Sequence, residues 1–480
     1  METLTAILDY VFSFKAYVML PLIILVIALA GRMKPGPALM SALRIAVGFA
    51  GVFIVFDFFV ASIGPAVEQI VAVRGFDFPV LDVGWPPLAA ITWASPIAPI
   101  TIPLFLGLNV LMLATRTTGT INLDIWNYWH YALVGTLILN TTRSFWLGLL
   151  TTLLIGIYSI KMADWNGVYV EKRAGIRGVA ITTVSINGLM PYAVVLNDLF
   201  DRIPGLRRIE YNPQAIAERR RARGERSAGG ATEASGAAGH DSAGHAILDL
   251  LSEPMIIGLV IGLILGTLAA YELRELLELM VHIAAVMFLL PPCGKLIGEG
   301  IEPVSARLRE IIETRFRGRT DLRVGMDSGP LLQNRSILVT GMILMPISLG
   351  LAFVVPGNRV LPLGDLPNLI SVFAIIVLVF RNNVFRAVLA GIPVVATYLM
   401  IATHFAELYT RMAQDVGFDF QGHQGLVTAF TDGGNHMRFY FFYLMRGNGI
   451  ALALIPVILL LMWYTRRRSR ALAGETGLAT

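Results

Sequence analysis

Cysteine and charge are both scarce in this chain of 480 residues. Cys293 is the one cysteine, which excludes a disulfide framework and a cysteine-based metal site. Only 15% of the residues are charged, whereas 55% are hydrophobic and the mean hydropathy is +0.67; these values lie outside the range of soluble domains. We expect no removed signal peptide, because Asp9 and Lys15 precede the first apolar stretch and no small-residue cleavage site follows it. The composition predicts a polytopic integral membrane protein.

The short motifs that carry much of enzyme chemistry are also missing. The sequence contains no Gly-x-Ser-x-Gly elbow, no phosphate-cradling loop and no His-Glu-x-x-His metal site. Cys293 stands at the end of an apolar stretch without a soluble domain beside it, so we interpret it as an inert thiol. We predict no catalytic residue, no metal and no cofactor in this chain, and leave open whether it serves an enzyme complex.

Eleven apolar segments indicate membrane spans. They lie at residues 16–31, 43–63, 96–114, 128–142, 144–161, 254–271, 279–293, 336–355, 366–380, 387–405 and 447–464. Several are short, as in transporters with broken helices. The main groups of Arg and Lys all fall on the cytoplasmic side if the N-terminus is outside and the C-terminus is inside. Topology thus explains the net charge of +5 better than a nucleic-acid partner does.

A polar segment divides the predicted spans into two groups. Residues 206–250 contain a run of Arg and Glu followed by a Gly/Ala/Ser-rich stretch, which predicts a disordered cytoplasmic linker. It separates a first transmembrane half, residues 1–205 with five spans, from a second half, residues 251–480. Because five is odd, a second copy of a five-span unit enters the membrane upside down. We therefore expect an inverted repeat.

Two pairs of polar segments recur in the two halves. Asp82-Val-Gly-Trp-Pro follows the second span of the first half, and Asp327-Ser-Gly-Pro follows the second span of the second half. Residues 181–191 and 428–436 form another pair, too broken and too polar for complete spans. Irregular backbone at membrane depth occurs where protein buries it or where it lines a cavity. We predict re-entrant hairpins at the second pair and a substrate path at both.

The polar side chains of these segments are candidate ligands for a hydroxyl-rich substrate. Carboxylate, amide and hydroxyl groups hydrogen-bond vicinal hydroxyls, and a tryptophan face packs on the C–H face of a sugar. The alternatives are interfacial anchoring for the tryptophans, which we assign to Trp126 and Trp129, and turn formation for the Asp-Gly pairs. The candidate substrate-binding residues are Asp82, Trp85, Thr92, Ser95, Thr182, Thr183, Ser185, Asn187, Asp327, Asp432 and Asn435.

The same segments resemble a known family, the galactitol-type membrane component (IIC) of the bacterial phosphotransferase system, in the ascorbate–galactitol superfamily. The resemblance covers nearly the whole chain outside the linker. It rests on Leu81-Asp-Val-Gly-Trp-Pro with Thr92-Trp-Ala-Ser, Asn122-Leu-Asp-Ile-Trp-Asn-Tyr-Trp-His130, Val355-Pro-Gly-Asn-Arg-Val-Leu-Pro-Leu-Gly-Asp365 and Phe385-Arg386.

This resemblance implies an all-α homodimer of the bacterial inner membrane, with about 11 transmembrane helices, re-entrant hairpins, and a mobile core domain beside a dimerising scaffold domain. It implies a sugar or polyol substrate such as galactitol. A separate cytoplasmic IIB protein, itself charged by IIA, phosphorylates that substrate.

The chain also departs from the family. Relatives of the galactitol type carry Pro-His-Gly-Thr in the cytoplasmic hairpin, where this chain has Thr182-Thr-Val-Ser185. An alternative is therefore a secondary permease of the same fold that moves a polyol or sugar acid without phosphorylation. A membrane-embedded transferase is a third alternative, for which no catalytic pair stands out.

Overall fold

The computed structural model describes residues 16–75, 78–122, 124–219, 253–315, 322–418 and 425–474. Helices dominate these residues. Before residue 220 the elements are α1 (Ala16–Ala30), α2 (Pro35–Arg74), β1 (Val80–Asp82), α3 (Pro86–Trp93), α4 (Ala98–Ala114), β2 (Thr120–Asn122), α5 (Trp129–Thr142), α6 (Phe145–Tyr169), β3 (Val179–Ile181), α7 (Val184–Asn187), α8 (Met190–Phe200) and α9 (Pro204–Arg208).

The second part of the chain continues the same alternation of long helices and very short strands. Its elements are α10 (Pro254–Leu268), α11 (Leu273–Arg315), β4 (Arg323–Met326), α12 (Arg335–Val354), β5 (Val360–Leu361), α13 (Asn368–Val372), α14 (Ala374–Val379), α15 (Val384–Asp415), β6 (Leu426–Thr428), α16 (Phe430–Gly433), α17 (His436–Met445), α18 (Gly449–Ala453) and α19 (Ile455–Gly474).

Among the described residues, six helices are long and apolar enough to cross a membrane, and a seventh span results if the bent pair α3–α4 counts as one. Large apolar side chains project outward from them; Ile54 is 68% exposed and Trp146 is 76% exposed. Such surfaces need a hydrocarbon environment. The chain is thus a multi-pass, mainly helical membrane protein. The remaining predicted spans lie on shorter or broken helices.

The bend between α3 and α4 is 87° and falls at Ser95 and Pro96. A proline disfavours helical geometry at the residue before it and supplies no N–H of its own. At the other end of this segment, Gly84 has φ +79°, a left-handed conformation that suits glycine. The polar segment predicted from residues 81–95 is therefore a strand, a tight turn and a short helix that ends at a sharp bend.

Two small parallel sheets, which the sequence did not reveal, join the two parts of the chain. Sheet A has the strand order β5–β1–β6, and sheet B has the order β2–β4–β3. In sheet A, Leu81 pairs with both Leu361 and Val427. Each central strand comes from one half, and both of its neighbours come from the other half. The halves therefore interlock through backbone hydrogen bonds.

Short broken helices follow the last strand of each half. In the first half β3 leads into α7 and α8, and in the second half β6 leads into α16 and α17. The two tips touch, since the Ser185 hydroxyl donates to Asp432 Oδ1 at 2.6 Å. These are the segments predicted to form hairpins.

The predicted span 366–380 lies in the interior of the protein. It is divided into α13 and α14 at Phe373, and every residue of α14 is at most 3% exposed. An apolar helix can be buried all round inside a large protein as well as inside a bilayer. Hydropathy alone does not separate these two environments.

Part of the predicted linker lies within the described residues and is ordered. Residues 213–219 are helical, and Gln214 Oε1 accepts the N–H of Arg335 at 3.0 Å. Asn212 Oδ1 accepts the Ser336 hydroxyl at 3.3 Å. This stretch thus docks on the first turn of α12. The rest of the predicted linker, from residue 220, lies outside the described residues.

Asp82 ties together three segments at the end of sheet A. Its Oδ1 accepts the N–H groups of Gly84 at 3.0 Å and Phe430 at 2.9 Å. Its Oδ2 accepts those of Leu363 at 3.0 Å and Asp365 at 2.9 Å. The side chain is 1% exposed, so this carboxylate satisfies four buried backbone donors.

We predict that Asp82→Asn destabilises the protein by about 3 kcal/mol, because the amide NH2 faces N–H donors and leaves them unsatisfied. Asp57→Asn, which changes an exposed carboxylate on α2, serves as the control. Thermal unfolding of both variants in detergent measures the difference. Equal melting temperatures for Asp82→Asn and the unsubstituted protein would contradict this account.

Candidate functional site

A cavity of about 110 Å³, the central pocket, lies where the two hairpin tips approach α1 and α2. One wall is apolar and is formed by Leu20, Phe49, Val52, Phe53 and Phe56. The facing wall is polar. Its lining includes Asp124, Asn127, His130, Thr183, Ser185, Asp327, Ser328, Asn368, Ser371 and Asp432. Concave sites with apolar walls and a few converging polar groups are typical of small-ligand pockets.

An ion pair at the hairpin tips occupies the buried end of the pocket. Arg438 is fully buried and its Nη1 donates to Asp432 Oδ1 at 2.8 Å and to the Asp432 carbonyl at 2.5 Å. Its Nη2 also contacts Nδ1 of His130. A buried charge is tolerated when it is paired and hydrogen-bonded. Arg438 therefore keeps Asp432 at the pocket wall.

Ser185 connects the first hairpin tip to the same network. Its hydroxyl donates to Asp432 Oδ1 at 2.6 Å and lies 3.1 Å from His130 Nδ1. The pocket wall therefore depends on segments from both halves.

Two further carboxyl groups face the pocket from sheet B. Asp327 follows β4; its Oδ1 accepts the N–H of Ser328 at 2.7 Å and the Thr183 hydroxyl at 3.2 Å. Asp124 follows β2, and its Oδ2 accepts from the Asn127 amide at 2.7 Å. Asp124 Oδ1 is buried without a hydrogen-bond partner among the described residues. A hydroxyl donor in the pocket would satisfy it.

Two stacked tryptophans border the pocket. The Trp85 and Trp129 rings lie 6.0 Å apart with an interplanar angle of 29°, and Trp129 stacks on His130 with ring centroids 3.9 Å apart. Trp129 is only 2% exposed. Its assignment as an interfacial anchor is therefore wrong, because a side chain buried beside Arg438 does not reach the membrane surface. The side chain of Trp126 lies outside the described residues.

The predicted site residues divide into two groups. Five line the central pocket, namely Trp85, Thr183, Ser185, Asp327 and Asp432. The other six, Asp82, Thr92, Ser95, Thr182, Asn187 and Asn435, lie outside its lining. The side chains of five of them bond mainly to backbone groups, whereas Thr182 accepts the Tyr131 hydroxyl with its own carbonyl at 2.6 Å.

Local geometry explains this second group. Thr92 donates to the Leu88 carbonyl one turn earlier at 2.7 Å, and Ser95 Oγ accepts the N–H of Ile97 at 3.3 Å. Asn187 Nδ2 donates to the Ile181 carbonyl at 2.8 Å, and Asn435 caps α17 by accepting the N–H groups of Met437 and Arg438. Such bonds position the hairpins and bends.

A larger cavity of about 820 Å³, the vestibule, adjoins the pocket beside sheet A. Phe53, Phe56, Trp85 and Asn368 line both cavities. Asp365 also lines the vestibule. Its Oδ2 accepts the Thr431 hydroxyl at 2.9 Å. Its Oδ1 is buried without a hydrogen-bond partner among the described residues. Trp85 therefore stands between the vestibule and the central pocket.

Within the described part of the chain, no group of three or more His, Cys, Asp and Glu side chains is arranged to hold a metal ion. The carboxyl, amide and hydroxyl groups instead form a hydrogen-bonding surface. That surface suits binding without covalent change to the protein.

Comparison with known proteins identifies relatives of this chain. A family model described as the PTS system sugar-specific permease component (EIIC-GAT) matches residues 10–423. A protein of Escherichia coli (strain K12) provisionally named a permease IIC component is 32% identical over 425 residues, which is 88% of this chain and 91% of the relative.

The galactitol-specific EIIC component of the PTS system from the same strain is 31% identical over 429 residues, which is 89% of this chain and 88% of the relative. Residues 10–423, which the family model matches, include every residue that lines the central pocket except Asp432. The chain belongs to the family of sugar-specific permease components (IIC, galactitol type) of the bacterial phosphotransferase system.

Proposed function

We propose that this chain binds a polyol such as galactitol in the central pocket and carries it across the membrane, and that a separate cytoplasmic IIB protein phosphorylates the sugar. The observation that carries the proposal is the convergence of Asp124, Asp327 and Asp432 on one cavity beside the stacked Trp85 and Trp129. Carboxylates accept hydrogen bonds from hydroxyl groups, and indole faces pack on C–H groups. A relative named for galactitol supports the choice of sugar.

A neutral polyol fits the pocket better than a sugar acid does. Three carboxyl groups line the cavity, and Arg438, the buried cation beside it, is already paired with Asp432. An anionic ligand would add negative charge to a site of low dielectric, where like charges repel strongly. This argument favours the polyol over the sugar-acid alternative.

The contrast between the two pocket walls supports movement of a core domain against a scaffold domain. The wall from α1 and α2 is apolar, and α2 packs on α11, which in turn packs on α10. Apolar contacts are non-directional, so a polar body slides along them without breaking hydrogen bonds. We assign α1, α2, α10 and α11 to the scaffold, and the sheets and hairpins to the core.

We further propose that residues 1–205 and 251–480 are inverted copies linked by residues 206–250, with about 11 spans and two re-entrant hairpins. The pairing of the strands supports this arrangement. In each half, the strand that follows the longest helix is the central strand of a sheet, and the two outer strands of that sheet come from the other half. The contact between the two hairpin tips gives further support.

We propose that the protein is a homodimer in the bacterial inner membrane, with the N-terminus outside and the C-terminus in the cytoplasm. The basic groups at the ends of the spans support this orientation. The outward apolar face of the span Gly449–Gly474, which consists of α18 and α19, supports contact with lipid or a second copy, because only 11% of its most apolar stretch is buried. Its proposed partners are IIB, and IIA indirectly through IIB.

Asp327→Asn is expected to weaken galactitol binding roughly tenfold, because it replaces a charged acceptor by a neutral amide at the pocket wall. Asp415→Asn, which alters an exposed carboxylate at the end of α15, is the matched control. Equilibrium binding of labelled galactitol to detergent-solubilised protein gives both dissociation constants. If the two variants bind alike, Asp327 lies outside the substrate site.

Trp85 should also contribute through its aromatic face. We expect Trp85→Ala to raise the KM for uptake several-fold, roughly the effect of losing 1 kcal/mol of aromatic packing, while Trp85→Phe keeps most of the affinity. Trp146→Ala removes a tryptophan on the outer surface and controls for general effects. Uptake that is unchanged in Trp85→Ala would place the sugar away from this wall.

Coupling of transport to phosphorylation distinguishes a phosphotransferase IIC component from a secondary permease. The departure at Thr182–Ser185 favours the permease alternative, but His130 lies 3.1 Å from Ser185 and supplies an imidazole at the same hairpin tip. In sealed vesicles loaded with phosphorylated IIB, we expect labelled galactitol to accumulate inside as its phosphate. Accumulation of unmodified sugar, with or without IIB, would support the permease alternative instead.

A further inference from the structure

A second polar cavity lies away from the central pocket. It has a volume of about 130 Å³ and is bounded by the turn after α4, by α6, by the start of β4 and by α19. Five cationic side chains line it: Arg116, Lys161, Arg323, Arg466 and Arg470. We call this cavity the basic pocket.

Asp164 is the one acidic residue that lines the basic pocket, and both of its carboxylate oxygens already accept hydrogen bonds. Asp164 Oδ1 accepts the hydroxyls of Thr118 at 2.6 Å and Thr120 at 2.9 Å, and the N–H of Gly119 at 3.0 Å. Its Oδ2 pairs with Lys161 Nζ at 2.5 Å. One cation is thereby neutralised, and Arg116, Arg466 and Arg470 leave a positive excess.

Three of the arginines have no acidic partner among the described residues: Arg116, Arg466 and Arg470. Arg466 and Arg470 are four residues apart on α19, a spacing that puts like charges on one helix face at a cost in stability. Arg323 adds a side chain that is only 7% exposed. A bound anion would relieve this repulsion.

Sheet B connects the basic pocket to the candidate substrate site. β2 and β4 begin at Thr120 and Arg323 beside the basic pocket and lead to Asp124 and Asp327 in the central pocket. At about 3.3 Å per residue, four residues along each strand place the two sites roughly 13 Å apart. The arginines of α19 belong to the basic group assigned to the cytoplasmic side.

We propose that the basic pocket is a binding site for a phosphate group, supplied either by a soluble phosphate or phosphate monoester or by the headgroup of an anionic lipid. Arginine forks match phosphate oxygens in charge and geometry. The inference does not depend on which sugar the central pocket carries, because it concerns separate residues and a separate ligand.

The test uses the full chain in nanodiscs of phosphatidylcholine, titrated with inorganic phosphate, and in nanodiscs that also contain phosphatidic acid. Saturable binding of inorganic phosphate identifies the soluble source, and binding seen only with phosphatidic acid identifies the headgroup. In the double variant Arg466→Gln/Arg470→Gln we expect either affinity to fall roughly tenfold or more, since two charged donors are lost. Both positions are exposed, so this variant should fold.

Arg467→Gln is the matched control, because Arg467 lies on the same helix but does not line the basic pocket. Its guanidinium instead lies over the Trp463 ring, 5.8 Å from the ring centroid. It should bind as the unsubstituted protein does. The proposal is overturned if neither phosphate nor phosphatidic acid binds saturably, if chloride at equal ionic strength gives the same signal, or if the double variant binds normally. Galactitol binding in the same samples reports separately on the central pocket.

Discussion

Non-helical backbone inside a membrane protein must find all its hydrogen-bond partners within the protein, and most of this structure follows from that requirement. Sheets A and B satisfy the backbone of six short strands by pairing strands from both halves. Where sheet A ends, Asp82 accepts the four N–H groups that the turns would otherwise leave unpaired. The hairpin tips, and therefore the pocket walls, keep their places because this backbone is satisfied.

The polar wall of the pocket depends on a second constraint, the pairing of buried charge. Arg438 is fully buried, and its contacts with Asp432 and His130 hold together residues that are about 300 positions apart in the chain. Among the described residues no cation pairs with Asp124 or Asp327, so their acceptor capacity remains directed to the cavity. The opposite wall is apolar, and in the proposed transport cycle this asymmetry lets the core hold a polar ligand and release it by moving along the scaffold.

Periodicity and composition predicted the positions of the apolar helices and the broken character of residues 81–95, 181–191 and 428–436. They did not predict the sheets, because strands of two to four residues are too short to show an alternating pattern. The role of Arg438 as the buried partner of Asp432 was not predicted. Arg438 follows a turn and precedes the aromatic run Phe439-Tyr-Phe-Phe442, and nothing in this local sequence indicates burial. Trp129 was misassigned because an anchoring tryptophan and a pocket tryptophan have the same neighbours in sequence.

The amino-acid sequence by itself determined the membrane class and the two acid-glycine-proline segments, and it predicts the side on which the basic residues lie. Only the tertiary structure decided which of the two acids faces the cavity. Around Asp82, β5 and β6 bring backbone donors that occupy both carboxylate oxygens. Around Asp327, the hydrogen bonds to the carboxylate come from the N–H of Ser328 and the hydroxyl of Thr183, and the side chain lines the central pocket. Similar local sequences thus acquire different roles, because their hydrogen-bond partners come from distant parts of the chain.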